Sequence, residues 1–423
     1  AQKPAMNSFT PDRQATYCNP INLDYGYCPI PNFVQNGKHR ATADPIIAVY
    51  DNKYFLFSTN QWGYWWSTDM KDWKFIPRKF LRPWNDVYDE LCAPASIVLG
   101  DSLLVIGSTY TRQYQEYAMQ SRLKIPLLFG LDVIHGYKTT FPIPLAEAAS
   151  WDLSTIELGA RIAATEAAAS GIHWTFAPMV DIGRDPRWGR VMEGAGEDTY
   201  LGSKIAFARV KGFQGKKLGD LDAVMACAKH FAAYGAAVGG RDYNSVDMSE
   251  RMLWETYLPP FKATVDAGVA TFMNSFNDLN GIPATGNAYL QRDILKGKWK
   301  FDGFVISDYA SIREMIAHGY AKDEADATAK AVIAGSDMDM ESYLYVAKLV
   351  DLVKSGKVKE ALVDDAVCRI LRVKFELGLF DDPYRYCDEK REKEVVGSKA
   401  NNEGVLDMAK KSIVLLKNEK NLL

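Results

Sequence analysis

Six apolar runs of strand-like length in this sequence lead into side chains that can do chemistry. "IPLLFGLD" (Ile125–Asp132) ends at Asp132, and "IHWTFAP" leads to Asp181, Arg184 and Asp185. "AVMACAKH" ends in Lys229-His230, "VATFMNSF" in Asn274-Ser275-Phe276, and "GFVIS" is followed by Asp308. The last, "GSDMDM", carries Asp337 and Asp339. One polar strand end is uninformative, but several from different strands would converge on one rim. A carboxylate there, kept ionised by a neighbouring lysine or arginine, can serve as nucleophile or base. "GRDPRWGRVMEGAGED" (Gly183–Asp198) is a long polar loop of the kind that is usually functional in a compact domain. Its arginines suit a carboxylate, a phosphate or sugar hydroxyls, and chemistry alone does not choose.

Each of these residues also has a structural alternative. An Asp between strand and helix is most often an N-cap. Ser311 and Glu314, however, form a capping box for the helix after Asp308, which predicts that Asp308 is free of that task. Lys229 and His230 read equally as a buried ion pair or core histidine. Adjacent strand residues face opposite ways, so at most one should face a barrel axis unless the strand bends. Asp132 reads as well as a salt bridge within a barrel.

The elements that would position these groups change character along the chain. Over the first ~110 residues short β runs are broken by turn chemistry. Hairpins are predicted over Ile46–Thr59, Tyr64–Ile76 and Ser96–Thr109 (around Gly100-Asp101), a meander-type all-β pattern. After about Arg112 apolar runs alternate with helical stretches, as in "STIELGARIAATEAAASG" with Ser154 and Glu157 as capping box. Helices are predicted over Leu201–Gln214, Ser249–Gly268, Ala288–Gly297, Ser311–His318, Glu324–Ala334, Leu344–Ser355 and Lys359–Leu377. This alternation implies a parallel sheet with right-handed crossovers. Six buried strands in series favour an α/β fold of the (β/α)8-barrel type over an open sheet, with the site at the strands' C-terminal ends. No glycine-rich phosphate loop follows a strand, which weakens a dinucleotide-binding reading.

Composition narrows the function classes. A net charge of −3 across 423 residues argues against a nucleic-acid or membrane-surface partner. No apolar run is long enough for a transmembrane helix. The start at Ala1-Gln2 reads as a mature chain after leader removal, or as a segment boundary. The six cysteines form no CxxC pair and the five histidines no HxxxH spacing, so neither a metal nor a cofactor is expected. Cys18 and Cys28 are candidates to pair in an oxidising compartment.

"SRLKIPLLFGLDVIHGYKTTFPIPL", "DPRWGRVMEGAGED", "ACAKHF", "NGIPAT", "GFVISDY" and "SIVLLKN" occur in this order. Together, over about Tyr114 to Leu423, they resemble the barrel domain of glycoside hydrolase family 3, of the multi-domain β-glucosidase and β-xylosidase type. The resemblance implies a retaining exo-acting β-glycosidase with Asp308 as nucleophile. Asp132, Arg190, Lys229 and His230 match residues that hold the hydroxyls of the sugar in subsite −1. Phe276 stands where many members have Tyr, and Tyr309 where many have Trp, so substrate preference should differ. Asp242, in "GGRDYN", falls in a loop that some members use near the same site. The loop "KHFAAYGAAVGGRDYN" lacks the acid/base histidine of one family branch. The resemblance therefore implies a Glu acid/base from a following α/β sandwich domain or a partner chain, with "KKSIVLLKNEKNLL" as that domain's opening.

Barrels of this family normally carry a further strand and helix before "IPLLFG", so the resemblance implies an incomplete barrel; in their place Arg40–Thr109 resembles the first blade and part of the second of a glycoside hydrolase family 43 propeller. "ATADPIIAVYDNKYFLFST" places Asp44 at the general-base position, and "CAPASIV" carries Cys92 in place of Trp. The expected domains are thus an all-β segment over 1–112, a barrel over 113–400, and a linker with the start of a further domain over 401–423. The abrupt switch near Thr111–Tyr114 reads as a natural fusion, a chimera or joined segments. The leading reading is a periplasmic or secreted β-glycosidase acting on terminal sugars of plant-type oligosaccharides. The alternatives are an inverting arabinofuranosidase or xylosidase working through Asp44, and a non-catalytic carbohydrate-binding composite.

Overall fold

The apolar runs become neighbouring parallel strands in the computed structural model of the chain, which describes residues 43–50, 53–59, 63–69, 74–77, 95–99, 102–106 and 111–419. The chain divides into two compact units, Ala1–Tyr110 and Thr111–Leu423.

In the first unit β1 (Ala43–Tyr50), β2 (Lys53–Thr59), β3 (Gly63–Ser67) and β4 (Lys74–Pro77) form an antiparallel meander in sequence order. β5 (Ala95–Leu99) and β6 (Ser102–Ile106) make a separate hairpin. The three predicted hairpins are present: Tyr50 faces Lys53, Gly63 faces Pro77, and Leu99 faces Ser102. Leu56 and Trp65, cross-strand partners, are buried. A propeller is not shown by these strands, because radial repetition needs several complete blades. Asp44 lies on β1, while Cys18, Cys28 and Cys92 fall outside the described residues.

In the second unit β7 (Gly130–Leu131) pairs in parallel with β8 (Trp174–Thr175), and Trp174 bridges on to Met225. β9 (Cys227–Phe231) pairs in parallel with β10 (Thr271–Asn274). A short hairpin, β11 (Asp278–Leu279) with β12 (Ile282–Pro283), follows β10. β10 also pairs with β13 (Phe304–Ile306), and Ile306 bridges in parallel to Met338. Spatial order therefore follows chain order across six parallel segments, the arrangement of barrel staves. The ladder is an arc; no closing pair joins its two edges among the described residues.

Residues of β9, β10 and β13 are buried throughout, as expected of strands covered by helices on one side and packed inside on the other. Phe231, Phe272, Phe304, Trp174 and Met225 fill this core. The helix Leu153–Ala169 meets it through Ala160, Ala163, Ala164, Ala167 and Ala168. Such small side chains let the helix Thr199–Gln214 approach closely. A Cβ on Gly212 would collide with the Glu157 carbonyl and the Ala160 methyl.

Two capping expectations are corrected. The helix Leu153–Ala169 is capped by Asp152, whose carboxylate accepts the Thr155 N–H, and Ser154 donates to that same carboxylate. A negatively charged acceptor outcompetes a hydroxyl for the first free N–H groups. The helix Ser311–Ala317 has no side-chain cap: Ala310 precedes it in the left-handed region, and the Ser311 hydroxyl bonds Thr285.

Candidate active site

Asp308 lies two residues beyond β13, after Ser307, and is 7% exposed. Its freedom from capping holds for a different reason than the predicted one: its backbone carbonyl, not its carboxylate, accepts the Ser311 N–H. Oδ1 accepts the Tyr309 N–H at 2.7 Å. Oδ2 has no hydrogen-bond partner. Burial is the largest influence on this carboxyl and raises it from 3.8 to about 6. Lys229, the Tyr309 N–H and Arg190 pull the other way without overcoming burial. The sequence suggested that these cations would set the balance, whereas the low-dielectric surroundings set it.

Lys229 and His230 both reach this rim, although regular strand alternation would separate them. β9 is irregular here: Ala228 faces Phe272 and Phe231 faces Asn274, so β9 carries one extra residue, a bulge. The Lys229–His230 peptide is cis. Lys229 Nζ donates to Asp132 Oδ1 at 2.7 Å, joining β9 to the end of β7. Burial pulls the Lys229 ammonium down, but Asp132 reverses this and holds it above its ordinary value. Asp132 itself remains largely exposed, its side chain 61% accessible.

Arg190 arrives from the polar loop after β8. Its guanidinium forks onto Glu193 at 2.7 and 2.9 Å. A second bond links Nη2 to His230 Nε2 at 3.1 Å. Burial works against this charge, but Glu193 raises the group above its ordinary value. His230 is 1% exposed, and burial, with Arg190 and Lys229 nearby, pulls it well below its ordinary value, so the ring is neutral. On its other side His230 Nδ1 meets Asp181 Oδ2 at 2.9 Å.

Of the aromatic wall beside these groups, Phe276 was named from the sequence and the rest was not. Met179, Trp188, Tyr234 and Phe276 pack together, with Tyr243 against Phe276 at 4.5 Å between centroids. Tyr234 lies edge-on to His230, and the Arg190 guanidinium sits over its ring. Asp242 accepts the Trp188 indole N–H at 3.0 Å, which ties its loop to this wall. Tyr309, beside the nucleophile candidate, is 56% exposed, an accessible aromatic face. Asp337 and Asp339 fall to structural roles. Asp337 pairs with buried Lys296 and accepts the Val305 N–H, and Asp339 accepts the Leu344 and Tyr345 N–H groups. Among the described residues no group of three or more His, Cys, Asp or Glu side chains could hold a metal ion.

Asp132, Arg190, Lys229, His230 and Asp308 are thus contributed by the ends of four strands, on the same side of the parallel arc, with Lys229 bonded to Asp132, Arg190 to His230, and His230 Nε2 3.7 Å from Asp308 Oδ2. Residues 104–373 match the model of the glycosyl hydrolase family 3 N-terminal domain. The chain belongs to glycosyl hydrolase family 3. A periplasmic beta-glucosidase of Salmonella typhimurium is 47% identical over 311 residues, covering 73% of this chain and 41% of that protein. A putative beta-xylosidase of Formosa agariphila is 35% identical over 332 residues, 75% of this chain and 43% of that protein. The crystal structure of a beta-glucosidase from Listeria innocua in complex with glucose superposes with a TM-score of 0.71 at 46% identity. It covers 73% of this chain and 43% of that one. This family 3 chain therefore spans under half the length of these relatives.

Proposed function

We propose that this chain carries the sugar-binding and nucleophilic half of a retaining exo-β-glycosidase acting on terminal β-linked glucosyl or xylosyl units of oligosaccharides. One observation carries the reading: a buried strand-end carboxylate, Asp308, with Oδ1 held and Oδ2 unpartnered, beside two cations. Oδ2 would attack the anomeric carbon while Lys229 and Arg190 favour the ionised form. Asp132, exposed at the rim, would accept hydroxyl protons. Lys229 and Arg190 would line the −1 subsite, with His230 holding Arg190 in place, and their donors would strengthen their hold as the ring flattens toward an oxocarbenium ion. Tyr309 offers a face for the leaving group's ring, and Phe276, which cannot donate a hydrogen bond, narrows the choice of sugar. Asp242 shapes the loop rather than binding directly.

A retaining mechanism needs a second carboxyl ~5–5.5 Å from the first. The other carboxylates around the site are committed: Asp132 to Lys229, Glu193 to Arg190, Asp242 to Trp188, and Asp181 beneath His230. We assign the acid/base to a Glu outside the described residues, from a following domain or a partner chain. The name of the Salmonella relative supports a periplasmic or secreted setting, and no described helix is long and apolar enough to cross a membrane. The inverting alternative through Asp44 is secondary; arabinoside hydrolysis that Asp44→Asn abolishes would reverse that order.

The test uses a dinitrophenyl 2-deoxy-2-fluoro-β-glucoside, whose leaving group departs without a general acid. Expected are one equivalent of dinitrophenolate and a covalent sugar on the peptide containing Asp308. Labelling that persists in Asp308→Asn, or an adduct on another peptide, would sink the assignment.

A further inference from the structure

Asp181 lies one layer below the candidate site and is 3% exposed. A single oxygen, Oδ2, accepts both the His230 backbone N–H at 2.8 Å and the His230 ring Nδ1 at 2.9 Å. The opposite ring nitrogen, Nε2, faces Arg190 Nη2 at 3.1 Å and Asp308 Oδ2 at 3.7 Å. A guanidinium has five donors and no acceptor. The Arg190 contact therefore requires a lone pair on Nε2. In a neutral imidazole the ring proton is then on Nδ1, where the Asp181 carboxyl receives it.

We infer that Asp181 is the positioning residue of this site: by holding the His230 proton on Nδ1, it makes Nε2 an acceptor that fixes Arg190 and leaves Asp308 Oδ2 without a donor. The opposite tautomer would point an Nε2 proton at Arg190 and toward Oδ2. It would displace the guanidinium from its place over Tyr234. It would also offer the attacking oxygen a hydrogen bond, which weakens a nucleophile. Burial is consistent with this arrangement, since it pulls His230 far down and raises Asp181 to about 7. A proton added to Asp181 would go to Oδ1, which has no partner, leaving the Oδ2 contacts in place.

The consequence for catalysis rests on the proposed function, whereas the tautomer does not, so the two are measured separately. The chain has five histidines, and loss of one set of imidazole nitrogen signals in His230→Gln assigns His230. In nitrogen-15 spectra of the unliganded chain, His230 should be neutral with its proton on Nδ1. Asp181→Asn keeps an acceptor oxygen at the Oδ2 position and should keep both that tautomer and a trapping rate near wild type. Asp181→Ala should move the proton to Nε2 and slow trapping by the fluoroglucoside about tenfold or more, as expected when a histidine is left in the wrong tautomer. If Asp181→Ala does not fold, the wild-type and Asp181→Asn spectra decide the matter. An Nε2-protonated His230 in the wild type, or an unchanged tautomer and rate in a folded Asp181→Ala, overturns the inference. Trapping absent in every form, with the Nδ1 proton in place, would defeat the proposed function and leave the tautomer assignment standing.

Discussion

Asp308→Asn should do two opposite things: end covalent trapping and stabilise the fold at neutral pH. The carboxyl ionises at about 6 in the folded chain against 3.8 when free. At ~1.4 kcal/mol per pH unit, its buried charge costs about 3 kcal/mol once fully formed. The sign follows from proton counting. Between the two values the folded state holds more protons than the unfolded one, so this group's contribution to stability falls as pH rises. Asparagine has nearly the shape of the protonated acid and never ionises. Integrating the linkage gives a gain of about 1 kcal/mol near pH 4.5 and about 3 kcal/mol near pH 8. The attraction of Lys229 and Arg190 is already inside that net value, because both act on the same ionisation. Urea unfolding of both forms at the two pH values, followed by far-UV circular dichroism, measures the difference. That is a readable change against domain stabilities of about 5–15 kcal/mol. A pH-independent gain, or a variant less stable near pH 8, would refute the reasoning. It would mean that the cations outweigh burial and that the carboxylate is already content in its site.

Other outcomes follow from the same contacts. The trapping rate should rise with pH through about 6, since in the proposed mechanism only ionised Asp308 would attack; a flat profile from about pH 5 to 8 counts against it. Lys229→Met removes the second-largest influence on Asp308, one that lowers it, so the acid limb of that profile should move upward and the rate fall. The buried Arg209–Glu147 pair, supported by the Ile134 carbonyl, should lose about 3–5 kcal/mol in Arg209→Met, because the lone carboxylate stays buried; denaturant midpoints report this. Gly212→Val should destabilise by about 1–3 kcal/mol through overpacking at the Glu157 carbonyl, with the fluoroglucoside reaction retained in the folded fraction.

Strand order and rim membership were legible because parallel strands buried on both faces leave continuous apolar runs, and a barrel stacks them in chain order. Asp308, Lys229, His230 and Asp132 could be named from where those runs stop. What escaped depends on contacts remote in sequence. Asp181 was visible as a polar strand end, but its task exists only once His230 is 2.9 Å away. Trp188 and Tyr234 read as ordinary aromatics until the fold gathers them with Phe276 beside Arg190. The capping boxes failed because a local pattern cannot see competitors: Asp152 displaced Ser154 by charge, and Thr285 took the Ser311 hydroxyl. The Lys229–His230 pair failed the alternation rule because a bulge is a property of the strand pair, not of either sequence alone.

The electrostatics of the rim carry one further step. Lys229 and Arg190 are each neutralised by a carboxylate of their own, Asp132 and Glu193, before Asp308 is counted. A fully compensating cation would lower the Asp308 carboxyl and bind it, making a stable ion pair and a poor nucleophile. Sharing each cation with a second carboxylate reduces its pull on Asp308, so burial wins and the carboxyl sits at about 6. At neutral pH it is then ionised, unpartnered at Oδ2 and energetically uncomfortable, a state that the proposed covalent attachment to a sugar would relieve. On the proposed assignment of Asp308 as nucleophile, Glu193 and Asp132 would therefore tune its reactivity as well as where the cations lie. Glu193→Gln should release Arg190 toward Asp308, lower the acid limb of the trapping profile and reduce the plateau rate. An acid limb that stays in place, with the plateau unchanged, would show that Arg190 is held by His230 alone.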